Sequence, residues 1–373
     1  MAGGRQGRLQ VSDETSPVGI NRTGKQYGHE GRLRMFEQLK DQRIALIGGA
    51  GFIGHNLALA LVEQGAHVEV VDGLMVNNLG ALASTEMEPF QRELYLKMIH
   101  QRLDLLHQAG VQVHAMDARD YHGLSRVIDV IGPQVIVQLA AVAHAGRSNK
   151  DPFSTFDHSL RTLENALDRA RERVEQFVYF SSSMVYGHFQ GRAVTEETPL
   201  DPIGIYGALK LSGEKLVIAY NQVFDLPYTI IRPSALYGER CVSRRVGQIF
   251  IEKAMRGEAL RVNGSGQEKL DFTYIGDLIQ GVLLVLANPK AINQTFNLTY
   301  GSSRSIMDLI SILENHFPKL KVEHQDRDKL IPIRGTLSVS KAQELLGYQP
   351  KYPIEEGYER YVNWYKDFWP GVC

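Results

Sequence analysis

Tyr206-Gly-Ala-Leu-Lys210 is a Y-x-x-x-K sequence. On a helix, residues i and i+4 share a face, so the Lys210 ammonium can sit beside the Tyr206 phenol. A free phenol has a pKa of about 10. A neighbouring cation favours the phenolate, which makes Tyr206 a usable base near neutral pH. The spacing recurs often by chance, and its place in the chain is what gives it weight. Ser181 lies 25 residues earlier, in Phe180-Ser-Ser-Ser-Met-Val-Tyr-Gly187, at the end of a strand-like run. Parallel α/β sheets place their ligands at such C-terminal strand ends. A serine hydroxyl there could bond the oxygen that the tyrosine deprotonates. The alternative is a polar strand-end turn, for which three serines need no special cause.

A second cluster carries different chemistry. Ile47-Gly-Gly-Ala-Gly-Phe-Ile-Gly54 follows a strand pattern and opens a helix pattern, with Gly48, Gly51 and Gly54 spaced G-x-x-G-x-x-G. Glycines there permit a tight turn and close backbone approach to a pyrophosphate, while the helix N-terminus turns its free N–H groups and dipole on the phosphates. A plain βα turn would look the same in isolation. Asp72, 18 residues after Gly54, ends the second strand pattern, where an acid binds the adenosine ribose hydroxyls. A carboxylate there repels a 2′-phosphate, so NAD is favoured over NADP.

These residues need a scaffold, and the pattern supplies one. Ile44-Ala-Leu-Ile47 is a short apolar run that reads as a buried strand, and 67–71, 111–114, 134–138, 177–180 and 228–231 read as further strands, separated by helix-length segments such as Phe52 to Gln64 and Phe90 to Ala109. Strands alternating with helices imply βαβ units and a parallel sheet covered on both faces. Beyond Arg232 the alternation becomes irregular. The expected fold class is α/β: a Rossmann-type doubly wound parallel sheet over 32–232, receiving segments near 270–300, with a smaller C-terminal α/β substrate domain over 233–373. Residues 1–31 have almost no apolar content and read as a disordered arm.

Composition excludes several classes. The net charge of −1 gives no basic excess for a nucleic-acid partner. No apolar run approaches the roughly 18 residues of a membrane helix, so no membrane partner is expected. Two cysteines cannot form a disulfide framework, which favours a reducing, cytoplasmic location. No H-x-x-x-H or C-x-x-C spacing suggests a metal site.

The glycine spacing resembles the short-chain dehydrogenase/reductase superfamily. Met116-Asp117-Ala-Arg-Asp120 is similar to that superfamily's adenine-contacting segment, and Leu139-Ala-Ala141 to its cofactor-lining "LAA" segment. Asp117 could equally cap the next helix. The order of glycine fingerprint, strand-end acid, serine-rich strand end and Y-x-x-x-K, with the C-terminal extension, resembles the extended branch, the NAD-dependent nucleotide-sugar epimerase/dehydratase family. The resemblance runs from Arg43 to Phe368 and includes Arg232-Pro-Ser-Ala-Leu-Tyr-Gly238, Asp271-Phe-Thr-Tyr-Ile-Gly-Asp277, Leu346-Gly-Tyr-Gln-Pro350 and Glu355-Glu-Gly357. It implies Ser182, Tyr206 and Lys210 as catalytic residues. It implies NAD held by Gly48, Gly51, Phe52, Ile53, Gly54, Asp72, Asp117, Ala118, Leu139, Ala140 and Ala141, with Tyr206 and Lys210.

The resemblance also implies a nucleoside-diphosphate sugar as substrate. Ser183 and His144 are candidates to face the sugar. Arg334, in Arg334-Gly-Thr336, stands where the family contributes an arginine to the nucleotide phosphates. Two expected diphosphate contacts are missing: Ala235 replaces an asparagine and Leu270 an arginine. Arg240, Arg244, Arg245, Arg261 and Lys269 are close enough in sequence to substitute. Family dehydratases and decarboxylases carry carboxylates at the places held here by Ser183 and Met184, so elimination leaves an epimerase, most readily at C4 through a transient 4-keto sugar. A 4,6-dehydratase, a decarboxylase and a keto-sugar reductase are the alternatives. The resemblance further implies a homodimer, with Phe153 to Arg171 and Tyr206 to Phe224 pairing as a four-helix bundle across a two-fold axis.

Overall fold

The computed structural model describes residues 36–84, 87–143, 145–327 and 330–370, and the backbone of 19–20 and 26–27. The last two pairs form a short antiparallel ladder, Gly19–Ile20 against Gln26–Tyr27, inside the segment expected to be a disordered arm. The rest of that arm lies outside the described residues. Glu37–Leu39 is a single 3-10 turn leading into the first strand.

The chain then alternates as expected: β1 (Arg43–Ile47), α1 (Phe52–Glu63), β2 (His67–Asp72), α2 (Pro89–Gln108), β3 (Gln112–Ala115), α3 (Tyr121–Ile131) and β4 (Val135–Gln138). Asp120 caps α3 by accepting from the Gly123 N–H, and Gly132 ends it in the left-handed region at φ 54°. Next come α4 (Thr162–Ala170), β5 (Gln176–Phe180), α5 (Gly204–Phe224) and β6 (Tyr228–Arg232). The stretch before α4 differs from the single amphipathic helix expected. A helical turn, Pro152–Phe156, is joined to α4 by a π turn over Asp157–Arg161. A π turn inserts an extra residue and re-aims the side chains beyond it.

The C-terminal part contains β7 (Leu236–Tyr237), α6 (Val246–Met255), β8 (Leu260–Asn263), β9 (Thr273–Tyr274), α7 (Ile275–Ala287), β10 (Gln294–Asn297), α8 (Ile306–His316), β11 (Val322–Gln325) and α9 (Ile354–Phe368). β8 pairs with β11 and β7 with β9, both parallel, away from the main sheet.

Seven strands form the central sheet in the order β10-β6-β5-β4-β1-β2-β3, all parallel. Alternate residues serve opposite faces. Ile44, Leu46, Val68, Val70, Val135 and Val137 join the larger core, while Ala45, Ile47, Val71 and Ile136 join the other. Burial on both faces explains why Ile44–Ile47 of β1 and Val135–Val137 of β4 read as unbroken apolar runs. From β1 the chain first winds outward to β2 and β3, then crosses to β4, β5 and β6. The order therefore reverses between β1 and β4, and the crevice beyond their C-terminal ends is where such sheets bind ligands. No helix among the described residues is long and apolar enough to cross a membrane.

Candidate active site

One cleft of about 750 Å³ runs along the C-terminal edge of the sheet and into the C-terminal part. At its floor, Gly48 sits at φ +82°, and a Cβ there would lie 2.5 Å from the Ala140 backbone nitrogen. The β1 turn can pass this close to the end of β4 only as glycine. A Cβ on Gly54 would lie 2.4 Å from the Gly49 Cα, so α1 packs directly on the turn it caps. These constraints leave the N-terminus of α1 facing the cleft with its free N–H groups.

Asp72 lines the same cleft. Its carboxylate accepts from Ala50 N–H at 3.0 Å and Leu74 N–H at 2.7 Å, tying the end of β2 to the glycine loop. Burial pushes its pKa up, opposed by those two N–H bonds and by Arg102. Asp117 is bound side-on by Arg119, whose Nη2 lies 2.6 Å from its Oδ2, and this bonding lowers the Asp117 pKa despite partial burial. Phe52, Ile53, Ala118, Leu139, Ala140 and Ala141 complete this wall. The donor set fits a dinucleotide: N–H groups and a close-packed glycine turn for a pyrophosphate, and a carboxylate at the strand end for ribose hydroxyls. Among the described residues no cluster of histidine, cysteine and acids could hold a metal.

Tyr206 and Lys210 lie on α5, both nearly buried and both on the cleft. The Lys210 Nζ donates to the Phe180 carbonyl at 2.6 Å, which pins α5 to the end of β5. Burial lowers its pKa to about 8, partly opposed by the Glu214 carboxylate. The three serines separate by partner. Ser181 Oγ donates to Glu214. Ser182 caps the 3-10 turn Ser183–Tyr186, its Oγ accepting from Met184 N–H at 3.2 Å, so its hydroxyl proton remains available to the cleft. Ser183 and Met184 line the cleft beside it. Behind them lies a buried ion pair, with Arg232 Nη2 2.7 Å from Glu214 Oε2 and Arg232 Nη1 donating to the Tyr186 hydroxyl at 2.9 Å.

The basic candidates divide. Arg244, Arg245, Arg261, Lys269 and Arg334 reach the cleft. Arg334 has a buried Nε without a hydrogen-bond partner, and its pKa is lowered to about 10 by burial and by Arg245 beside it, with Tyr206 acting in the opposite sense. Arg240 is turned elsewhere. It lines a separate shallow hollow with Glu239, Tyr274 and Arg360, and its Nε donates to His55 Nε2 at 3.2 Å. His144 lies outside the described residues. Ala235 and Leu270 both line the cleft, and Ala235 has φ +35°. Asparagine, the residue expected there from the resemblance, is one of the few that tolerate such a backbone.

Cleft residues that were not candidates from sequence include Arg102, His158 and Gln248. Arg102 did carry a signal. It falls on the apolar stripe of α2 with Tyr95, Met98, Ile99 and Leu106, where a charge is out of place.

The model of the NAD dependent epimerase/dehydratase family matches residues 44–299. An uncharacterized UDP-glucose epimerase, YtcB of Bacillus subtilis (strain 168), is 29% identical over 332 residues, covering 88% of this chain and 99% of that protein. The dTDP-glucose 4,6-dehydratase of Xanthomonas campestris pv. campestris (strain B100) is 27% identical over 343 residues, covering 85% of this chain and 91% of its own. Among solved structures, a UDP-glucuronic acid 4-epimerase from Bacillus cereus, in complex with UDP-glucuronic acid and NAD, matches with a TM-score of 0.77 and 26% identity, over 87% of this chain and 99% of that one.

Proposed function

This chain belongs to the NAD dependent epimerase/dehydratase family, and from that premise we propose that it is an NAD-using epimerase that inverts C4 of a nucleoside-diphosphate sugar. The observation that carries the choice of reaction is the wall around Tyr206. Among the described residues, the carboxylates on the cleft are Asp72, Asp117 and Glu268. The first two lie at the cofactor end, and Glu268 is paired with Arg327. None flanks Ser182, and Met184 fills the place where dehydration would need a carboxylate. Epimerisation needs none.

Gly48, Gly51, Phe52, Ile53, Gly54, Asp72, Asp117, Ala118, Leu139, Ala140 and Ala141 would hold NAD. The chemistry that NAD supplies when bound is reversible hydride exchange with the sugar carbon. Tyr206 takes the proton from the 4-hydroxyl. Ser182 donates its hydroxyl hydrogen to the same oxygen as it becomes a carbonyl. The Lys210 ammonium, held by the Phe180 carbonyl, places positive charge on the same face of α5 as the phenol. After the keto sugar turns its other face, Tyr206 returns the proton to the oxygen. Arg244, Arg245, Arg261 and Arg334 bind the diphosphate in place of the contacts absent at Ala235 and Leu270. Residues 32–232 with β10 form the cofactor domain and 233–373 most of the substrate domain.

The test is a screen of UDP-, GDP-, CDP- and dTDP-sugars, glucuronate and neutral hexoses included. The expected product has the substrate's mass and an inverted C4. In deuterated water that carbon takes up little deuterium, since its hydrogen returns from the cofactor. A product lighter by one water would make the enzyme a dehydratase, and deuterium at the inverted carbon would replace hydride exchange with deprotonation. Cofactor choice is a separate expectation: NAD binds more tightly than NADP, and Asp72→Ala narrows the gap. Equal titration curves for the two in the unaltered protein would remove Asp72 from that role.

A homodimer is part of this reading. Phe153 is 83% exposed, and Val223 on α5 is 69% exposed, with Phe156, Leu216 and Phe224 also at the surface. These lie on the two stretches expected to pair, and an unpartnered apolar surface of this kind favours association. Light scattering should give twice the 41.8 kDa chain mass; a monomer at micromolar concentration would count against it. A low cysteine content supports a cytoplasmic location.

A further inference from the structure

The turn between β7 and α6 carries both Arg244 and Arg245 to the cleft, and its backbone is unusual. Arg240 and Arg244 have φ of 62° and 51°, the left-handed region that non-glycine residues rarely adopt. Such conformations persist where the surroundings over-determine them. Here the surroundings are three buried polar side chains behind the turn.

Arg102, on α2, is 0% exposed. Its Nε donates to the Arg240 carbonyl at 2.9 Å, its Nη2 donates to the same oxygen, and Nη1 reaches the Asn77 carbonyl at 3.4 Å. Gln248, on α6, is 2% exposed, and its Oε1 accepts the Arg244 N–H at 2.9 Å. The Gln248 amide is itself oriented by Glu252, which is 1% exposed and takes Gln248 Nε2 at 2.8 Å. Glu252 is fixed in turn by the hydroxyls of Tyr95 on α2 and Tyr365 on α9, each at 2.9 Å. Among the described residues neither charge has an ion-pair partner: Arg102 is bonded to carbonyls, and Glu252 to an amide and two phenols. Burying charges this way costs free energy that apolar residues of similar size would avoid. Through Arg102 and Gln248 the set meets the backbone of a single turn, at the Arg240 carbonyl and the Arg244 N–H.

We propose that Arg102, Gln248 and Glu252 are positioning residues, which hold the 240–245 turn so that Arg244 and Arg245 meet the anionic diphosphate of the substrate already in place. The idea rests on the reading of those two arginines as diphosphate ligands. A preorganised turn lowers the ordering cost of binding. Losing it should weaken binding without touching the proton chemistry at Tyr206.

The experiment measures the Kd of UDP, GDP, CDP and dTDP by calorimetry on the NAD-loaded protein, then KM and kcat with the active sugar nucleotide. Gln248→Met keeps the volume and removes the bond to Arg244. It should raise Kd and KM about tenfold, the scale of one lost buried hydrogen bond, with kcat and bound NAD unchanged. Arg102→Met should do the same, and Arg102→Lys should recover part of the loss. In the Arg244→Ala background, Gln248→Met should add little, because both act through one contact. If Arg102→Met does not fold, Gln248→Asn, which only shortens the reach, carries the same expectation. Arg244→Ala and Arg245→Ala leaving every Kd unchanged, or no nucleotide binding at all, would remove the underlying assignment. Those two variants weakening binding while Gln248→Met does not would overturn the positioning role alone. A parallel fall in kcat and NAD content would overturn it too, as a general structural defect.

Discussion

Replacing Tyr206 by phenylalanine should lower turnover by about 10²–10⁴-fold, the usual contribution of a positioned acid–base group. The ring stays, so cleft shape and substrate affinity should hold. Ser182→Ala should cost less, because it removes one hydrogen bond to an oxygen whose charge is only partial. Lys210→Met should affect both turnover and NAD retention. Its ammonium is tethered to the Phe180 carbonyl at 2.6 Å on the same helical face as the phenol. Stopped-flow and steady-state assays on the active sugar nucleotide separate these effects. Turnover by the Tyr206→Phe protein within tenfold of the parent would remove Tyr206 as the base.

The second large effect concerns stability. Glu214→Leu should destabilise the protein by about 3–5 kcal/mol, because it leaves the Arg232 guanidinium buried without its counter-ion. Both members of the pair are almost fully enclosed, at 5% and 2% side-chain exposure. The loss would reach the site as well. Glu214 also accepts from Ser181 Oγ, and Arg232 also donates to the Tyr186 hydroxyl and the Glu196 carbonyl. Those contacts frame the turn that presents Ser182. The double variant Glu214→Leu/Arg232→Met should recover part of the loss, since no lone charge is then left inside. Urea unfolding reads both. A single variant losing under about 1 kcal/mol would mean that water reaches the guanidinium.

Much of this molecule was legible along the chain because its signals are local. The central strands β1, β4, β5 and β6 carry short apolar stretches, since a parallel strand buried on both faces has no polar side to interrupt it, whereas the edge strand β3 alternates apolar with polar residues. The glycine loop, Asp72 at the end of β2, and Tyr206 four residues before Lys210 are fixed by distances of a few residues, which helix and strand geometry convert directly into positions. β10 joins the sheet beside β6 from the C-terminal part of the chain, far from the other six strands in sequence.

Tertiary structure alone decided what depends on chain segments far apart. Arg240 and Arg244 are equally basic and nearly adjacent, yet one turns to His55 and the other to the cleft. The difference comes from buried partners on α2 and α6 that spacing cannot reveal. Arg334 reaches the neighbourhood of Tyr206 from 128 residues away. Arg102 stands out on the apolar stripe of α2, but only packing shows that it is fully enclosed and which backbone carbonyls it meets. The π turn before α4 has no periodic signature, since one inserted residue resembles noise in an amphipathic pattern. Local geometry thus pointed to the candidate catalytic and cofactor residues, whereas which cations face the cleft followed from which side chains the folded core could enclose.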